Sequence, residues 1–140
     1  MPDIHLATTD DDIAATFAVM SQLRTKLVES EYVALVRKQQ AAGYLLAYVR
    51  DGGRVVAAAG FRLSMSLSWG DFVYIDDLVS DTNTRSAGHG ARLMAWVGDY
   101  GKQRGCKELH LDSGVQRFAA HRFYLRERMD ITCHHFFMSL

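Results

Sequence analysis

Apolar and polar positions in the first part of the chain alternate with two periods, one typical of strands and one typical of helices. Two strand-like runs are separated by a strong hairpin signal at residues 51–53, Asp-Gly-Gly. The predicted elements are a strand at residues 3–7, a helix that begins at the capping box of Thr9 and Asp12, a second helix from Ser30 to Gly43, and strands at residues 44–49, 55–63 and 72–79.

The second part of the chain changes from consecutive strands to strands separated by helices. The predicted elements are a helix at residues 91–100 that stops before Gly105, a strand at residues 109–111, a helix at residues 118–126 and a closing strand at residues 131–140. The predicted order is therefore β-α-α-β-β-β-α-β-α-β. A meander followed by βαβ crossovers predicts an α+β fold with a mixed sheet, formed by a single domain over residues 1–140.

Composition narrows the class of protein. The chain has 140 residues, of which 49% are hydrophobic and 23% charged, and these are ordinary globular values. No apolar run reaches the roughly 20 residues that span a membrane, and the N-terminus lacks the pattern of a signal peptide. Cys106 and Cys133 are not in a CxxC pair and suit free thiols in a reducing compartment, so we expect a cytoplasmic protein with no membrane partner.

The net charge of zero argues against general nucleic-acid binding. Residues 1–79 carry 10 acidic and 7 basic side chains, a net charge of −3, whereas residues 80–140 carry 6 acidic and 9 basic ones, a net charge of +3. This asymmetry either suits a polyphosphate cofactor and a cationic acceptor, or is random scatter over segments of this length.

The segment Arg-Ser-Ala-Gly-His-Gly at residues 85–90 stands between an apolar run and an amphipathic one. Glycines let backbone N–H groups approach an anion closely, and a helix N-terminus attracts negative charge. The segment matches neither a dinucleotide fingerprint, which needs glycine in place of Leu93, nor a Walker loop, which needs Lys-Ser/Thr in place of Ala91 and Arg92. It predicts a phosphate-binding turn.

Three segments together resemble one family. Residues 85–90 fit the Arg/Gln-x-x-Gly-x-Gly/Ala loop with which GCN5-related N-acetyltransferases (GNAT) hold the pyrophosphate of acetyl-CoA. Residues 76–79, Asp-Asp-Leu-Val, resemble the end of the family's fourth strand, and residues 120–125, Ala-His-Arg-Phe-Tyr-Leu, resemble its fourth helix. Within the family, the C-terminal half is most similar to aminoalkylphosphonate N-acetyltransferases and their small relatives.

The resemblance implies the GNAT fold, a twisted mixed sheet of six to seven strands with about four helices, and acetyl-CoA as co-substrate. Dimerisation through the last strand is a habit of the family, so a homodimer is possible. The residues that it places against acetyl-CoA are Leu78, Val79 and Ser80 at the end of the fourth strand, Arg85, Ser86, Ala87, Gly88, His89, Gly90 and Ala91 in the loop, and Arg117 and Phe123 near the fourth helix. Within the loop, we expect the His89 side chain to be a solvent-exposed spacer.

The resemblance also implies the catalytic residues. Tyr124 takes the position of the general acid that protonates the leaving thiolate; the alternative is a core aromatic residue. A carboxylate is needed to accept the proton of the amine, directly or through water. Asp76 and Asp77 are the candidates, and strict alternation along a strand predicts that they point to opposite faces. Asp76 is preferred because polyamine acetyltransferases have their base there; the alternative is that either carboxylate only caps or solvates the strand.

Other features remain open. The predicted function is acetyl transfer to a primary amine of a small molecule by direct attack in a ternary complex, and the alternatives are protein N-terminal or lysine acetylation or a catalytically silent acyl-CoA sensor. The arginines at residues 117–128 either contact the 3′-phosphate of the cofactor or form a solvated helix face. We predict no metal site, since adjacent strand histidines face opposite ways. The acceptor-pocket candidates, by location alone, are Glu29, Glu31, Tyr32 and Trp69.

Overall fold

The computed structural model describes residues 3–140, except the side chain of Ser86. The strands are β1 (Asp3–Leu6), β2 (Leu45–Asp51), β3 (Arg54–Ser66), β4 (Gly70–Ser80) and β5 (Glu108–Leu111). The helices are α1 (Asp10–Ala15), α2 (Phe17–Leu23), α3 (Glu29–Ala41), α4 (His89–Gln103) and α5 (Phe118–Arg126), with a 3-10 helix at Thr82–Ala87. The chain forms two compact units, Met1–His110 and Leu111–Leu140. The single domain expected over residues 1–140 stays a prediction.

The strands form one mixed sheet in the order β1-β2-β3-β4-β5. The pairs β1–β2, β2–β3 and β3–β4 are antiparallel, and the hairpin predicted at residues 51–53 joins β2 to β3, with Asp51 paired to Arg54. The α+β class is confirmed, but the sheet has five strands rather than six to seven.

The closing strand predicted at residues 131–140 is wrong, because this segment carries no strand in the described chain. A strand requires a neighbour to satisfy its backbone N–H and C=O groups, which an alternating sequence does not supply by itself. The apolar side chains of the segment are exposed: Ile131, Phe136, Phe137, Met138 and Leu140. The observed order is therefore β-α-α-α-β-β-β-α-β-α, leaving the 3-10 helix aside.

The additional helix arises because the first predicted helix is divided at Thr16. The capping box of Thr9 and Asp12 begins α1 as predicted, and Thr16 then ends α1 and begins α2. The Thr16 side chain is fully buried, and its hydroxyl lies 2.7 Å from both the Ile13 carbonyl oxygen and the Tyr32 hydroxyl. This buried polar contact fixes the break where apolar spacing alone suggests one continuous helix.

The helices cover both faces of the sheet. The core on one face joins α1, α2 and α3 to apolar side chains of the strands, including Ile13, Val19, Leu46 and Val79. On the other face α4 packs so closely that a Cβ on Gly101 would overlap the Val73 side chain. Burial of apolar area on both sides stabilises the sheet, at roughly 25 cal/mol per Å² removed from water. The strands are therefore a fixed frame for the residues at their ends.

Candidate active site

A cavity of about 370 Å³ lies between α2, α3, Tyr44 just before β2, and β4. Its apolar lining comes from α2, α3 and the turn between them: Met20, Leu27, Leu35 and Val36. Its polar lining comes from helices and strands together: Arg24, Tyr32, Gln39, Tyr44, Tyr74, Asp76 and Asp77. The cavity is at the lower end of the range of small-molecule sites, and it combines an apolar wall with a few convergent polar groups, as such sites do.

A β-bulge at Asp76 turns two neighbouring carboxylates toward this cavity. Asp77 pairs with Gly60 and the next pair joins Ile75 to Phe61, so Asp76 is an additional residue on β4 with no counterpart on β3. Both carboxylates therefore line the same cavity. The prediction that they point to opposite faces is wrong, because strict alternation holds only along a strand without a bulge.

Both oxygens of Asp77 are occupied. Tyr44 donates a hydrogen bond of 2.8 Å from its hydroxyl to Oδ2, and Arg24 forms an ion pair of 2.8 Å between Nε and Oδ1. The Asp77 side chain is only 15% exposed, so these contacts replace lost solvation. Burial, together with the charge of Asp77, raises the pKa of Tyr44 far above its ordinary value, so Tyr44 remains a donor at every relevant pH.

Asp76 is bound through one oxygen only. Arg62 donates from Nε to Oδ2 at 2.9 Å, and the two remaining guanidinium nitrogens donate to the Ala42 carbonyl and to Gln39 Oε1. Oδ1 of Asp76 is buried and has no hydrogen-bond partner within the described part of the chain. A buried acceptor without a donor is costly, and such a group indicates a place for a ligand or water.

Tyr32 is a buried residue of the cavity lining. Its hydroxyl lies 2.7 Å from Thr16 Oγ1, and its ring packs edge-on against Phe17 at 5.2 Å between centroids. Burial raises the pKa of Tyr32, partly opposed by the hydrogen bond to Thr16. Of the four acceptor-pocket candidates, only Tyr32 is found in the described lining. Glu29 and Glu31 are exposed in the first turn of α3, and Trp69 instead stacks on His110 at 3.7 Å.

The predicted phosphate-binding loop lies beyond the end of β4. The 3-10 helix is followed by Gly88 in the left-handed conformation, with φ of 80°, and α4 then begins at His89. A side chain at residue 88 would be strained, which explains the glycine. Arg85, Ala87 and Gly88 are exposed, and Gly90 and Ala91 are partly so, in the first turn of α4. The first N–H groups of a helix have no partner within it, so they suit an anion.

His89 corrects one expectation for this loop. It was expected to be a solvent-exposed spacer, yet its side chain is buried, and its Nδ1 lacks a hydrogen-bond partner among the described residues. The reason is that α4 begins two residues earlier than predicted, so the imidazole lies on the helix face that packs inward with Leu93.

A buried carboxylate that the sequence analysis missed fixes the beginning of the loop. The Asp81 side chain is 6% exposed; it accepts hydrogen bonds from the Asn83 N–H and from Gln22 Nε2 and pairs with Arg54 at 3.1 Å. Gln22 Oε1 in turn accepts from the N–H and hydroxyl of Thr82, each at 2.9 Å. An aspartate directly before a helix is a cap signal that could have been recognised, but nothing in the sequence indicates Gln22.

Leu78, Val79 and Ser80 form the end of β4 and pair with residues 57–59 of β3. On its other side β4 has β5 as a neighbour, but β4 has 11 residues and β5 only 4. Part of this edge of β4 therefore extends beyond β5. Such an edge presents backbone N–H and C=O groups in the way that an added strand requires.

The second compact unit contains the remaining predicted residues. Tyr124 and Phe123 are partly buried on α5, and their rings meet edge-on at 5.5 Å between centroids. Burial raises the pKa of Tyr124, opposed by the charge of Arg117 and a hydrogen bond from it. Arg117, at the N-cap of α5, is thus placed beside the Tyr124 hydroxyl. Within this unit the structure brings the three residues together.

A metal site and a membrane-spanning helix are both absent from the described residues. In residues 3–140, no group of three or more His, Cys, Asp or Glu side chains is arranged to hold a metal ion. Among the same residues, no helix is both long and apolar enough to cross a membrane. Cys106 is buried, which raises the pKa of its thiol.

Comparison with known proteins decides the family. The model of the acetyltransferase (GNAT) family matches residues 11–129, most of the chain. The chain belongs to the GNAT family of acetyltransferases. An uncharacterized N-acetyltransferase of Bacillus subtilis, YhdJ, is 32% identical over 124 residues, which cover 86% of this chain and 87% of the relative. Like its relatives, this GNAT protein is an acyltransferase.

Two further similarities show less, one because it covers only about half of the chain and the other because its sequence identity is low. An aminoalkylphosphonate N-acetyltransferase of Salmonella typhimurium is 32% identical over 76 residues, covering 54% of this chain and 49% of that protein. The resemblance to that subfamily is therefore only partial. The solved structure of AAC(6')-Iy in complex with a CoA-linked bisubstrate analogue superimposes with a TM-score of 0.86 over 100% of this chain and 98% of its own, at 15% identity. At that identity the likeness shows the GNAT fold.

Proposed function

We propose that this protein transfers the acetyl group of acetyl-CoA to the primary amine of a small molecule by direct attack in a ternary complex. The observation that carries the proposal is Oδ1 of Asp76, a buried carboxylate oxygen without a partner, in a cavity of about 370 Å³. An ammonium group supplies the missing donor. A cavity of this volume is large enough for a small acceptor.

Acetyl-CoA would be held by the loop and by the end of β4. Arg85 and the backbone N–H groups of residues 86–91 are suited to the pyrophosphate, since the loop is exposed and opens a helix of 15 residues. The pantetheine arm has amide groups and would pair with the backbone of Val79 and Ser80, beyond the reach of the short β5. Arg117 and Phe123 would contact the cofactor from α5.

Catalysis requires that the amine be neutral when it attacks. An alkylammonium with a pKa of about 10.4 has no free lone pair, so a base must take its proton. Asp76 would accept that proton, because Oδ1 is free whereas both oxygens of Asp77 are engaged. Asp77 would act as a positioning residue that fixes Tyr44 and Arg24 around the acceptor. The contacts around the bulge thus distinguish two carboxylates that look equivalent in sequence.

The bond changes are those of acyl transfer. The nitrogen forms a bond to the thioester carbonyl carbon, the oxygen takes negative charge near the N–H of Leu78 or Val79, and the C–S bond then breaks. Tyr124 would protonate the leaving thiolate. Its raised pKa keeps the phenol protonated at neutral pH, and a thiol of ordinary pKa about 8.5 is the stronger acid, so a hydrogen bond from the phenol already stabilises the thiolate.

The experiment measures acetyl-CoA binding and CoA release separately. Acetyl-CoA at about 100 times its Kd is expected to add about 2.7 kcal/mol to the free energy of unfolding. A panel of small primary amines is expected to release free CoA thiol, whereas N-terminal peptides and lysine peptides are expected to be poorer acceptors. Binding without thiol release for any acceptor would favour a silent acyl-CoA sensor.

We also propose that the protein is cytoplasmic and forms a homodimer. The exposed apolar side chains of residues 131–140 support the homodimer.

A further inference from the structure

We infer that the acceptor is a monoamine whose only charge is its ammonium group and whose body is apolar carbon, and that amines carrying an anion are excluded. This inference rests on the proposed function, because it concerns the acceptor of the same acetyl transfer. It departs from the acceptor named for the partly similar Salmonella typhimurium protein, which is an aminoalkylphosphonate.

The charges around the cavity leave a place for a cation. Among the described lining residues, Arg24 is the one guanidinium and Asp76 and Asp77 are two carboxylates. Arg24 donates from Nε to Asp77 and from Nη2 to the Asp76 main-chain oxygen, so it already has acceptors. The described lining thus carries one positive and two negative charges, so it repels an incoming anion, whereas an incoming ammonium meets Oδ1 of Asp76, which has no hydrogen-bond partner there.

Arg62, which binds Asp76 but is not part of the described lining, does not change this balance of charges. Arg62 donates each of its three guanidinium nitrogens to an acceptor of the protein, namely Asp76, Ala42 and Gln39. A phosphonate is normally held by bidentate or multiple donors from arginine or from a helix N-terminus. In the described lining Arg24 is the one arginine, and its charge is already balanced by the ion pair with Asp77. The cavity is therefore built for a positive group.

The apolar side chains of the cavity lining suit the hydrocarbon part of an acceptor rather than a second charged group. Met20 and Val36 are buried, Leu27 is partly buried, and Leu35 is 45% exposed at the edge of α3. Apolar atoms of an acceptor would gain from contact with these side chains. A second ammonium group carried to this wall would lose its hydration without finding a carboxylate among these four residues. A monoamine is thus favoured over a diamine of the same length.

The test compares acceptors at saturating acetyl-CoA by the kcat/KM of CoA thiol release. From propylamine through pentylamine, each added methylene is expected to raise kcat/KM by about 4-fold. Pentylamine is expected to exceed 1,5-diaminopentane by about 10-fold and 3-aminopropylphosphonate by about 100-fold. These compounds have similar lengths, so the comparison isolates the second charge and its sign.

A pair of variants then tests the wall directly. Leu35→Lys places a cation at the edge of the cavity, so kcat/KM is expected to fall about 10-fold for pentylamine and to rise about 10-fold for 3-aminopropylphosphonate. Ala34→Lys adds the same charge to the preceding residue of α3, which is exposed and outside the described lining. It is expected to change both values by less than about 2-fold.

The outcomes distinguish a failure of this inference from a failure of the proposed acetyl transfer. If the wild-type protein uses the aminophosphonate or the diamine as well as pentylamine, acetyl transfer stands and the inference is overturned. It is overturned equally if Leu35→Lys and Ala34→Lys behave alike. If no amine releases CoA although acetyl-CoA binds, the proposed function itself fails.

Discussion

The hydroxyl of Tyr44 reaches Oδ2 of Asp77 at 2.8 Å by passing over a residue that has no side chain. That residue is Gly60, the partner of Asp77 across the ladder, and a Cβ built on it would overlap the Tyr44 hydroxyl. The glycine, the phenol and the carboxylate therefore form one arrangement. It lies beside the β-bulge at Asp76, whose side chain lines the cavity between α2, α3 and β4.

Gly60→Ala is expected to displace the Tyr44 phenol from Asp77. Overpacking of this kind costs about 1–3 kcal/mol of the free energy of unfolding, and loss of positioning is expected to lower kcat/KM by about 10-fold or more. The control is Gly98→Ala in α4, where the nearest atom, in Leu109, would be 3.9 Å away. That change is expected to raise the melting temperature, since alanine favours a helix interior. Equal behaviour of the two variants would argue against the arrangement.

Gln22→Ala is expected to weaken acetyl-CoA binding without a matching effect on the acceptor. Gln22 holds both Asp81 and Thr82 at the beginning of the loop, so its loss frees the segment that leads to Arg85. We expect the KM for acetyl-CoA to rise about 10-fold and the KM for the amine to stay within about 2-fold. Gln40→Ala, which removes a contact to the Ala7 carbonyl, serves as the control. An unchanged KM for acetyl-CoA would rule out the positioning role.

Asp81→Asn is expected to destabilise the protein in a pH-dependent way. The Asn83 N–H and the Gln22 amide, together with Arg54, lower the pKa of Asp81 below its ordinary value. The carboxylate therefore contributes stability above that value of about 3.9 and loses it as the pH falls through the lower folded-state pKa. Denaturant titrations should show the largest difference from wild type above about pH 5 and a shrinking difference below about pH 4.

Its control is Asp10→Asn, whose exposed pair with Arg37 is expected to contribute little at any pH. A difference between wild type and Asp81→Asn that stays constant from about pH 3 to pH 7 would contradict this assignment.

Tyr124→Phe is expected to lower kcat by about 100-fold, the effect of losing a positioned general acid. Since burial raises the pKa of Tyr124, the wild-type kcat should not decline through ionisation of this phenol below about pH 10. Tyr48→Phe, which removes a hydroxyl 3.3 Å from Asp12 outside the described lining, is the control. Wild-type turnover in Tyr124→Phe on a true acceptor would remove Tyr124 from the mechanism.

Local signals in the sequence were enough for much of the fold. The capping box at Thr9 and Asp12 and the hairpin at residues 51–53 lie where they were predicted, because each depends on neighbouring residues alone. The closing strand failed because pairing needs a distant partner.

The positions of the side chains in the site depend on contacts between distant residues, which the spacing of residues in the sequence does not reveal. The bulge at Asp76 depends on the register between β3 and β4, which a single strand does not reveal. Gln22 and Asp81 are 59 residues apart, and only the packing of α2 on the sheet brings them together. The candidates Asp76 and Asp77 came from the motif, but their different surroundings came from the fold.

The proposed mechanism depends on Asp76 as the acceptor of the proton from the amine. The pH profile of Asp76→Asn tests this role most directly. With pentylamine and saturating acetyl-CoA, kcat/KM of the variant is expected to be about 100-fold below wild type at about pH 7. The gap should narrow toward about pH 10, where the free amine no longer needs a base. Unchanged activity at neutral pH, or a gap of constant size across this range, would contradict the assignment of Asp76.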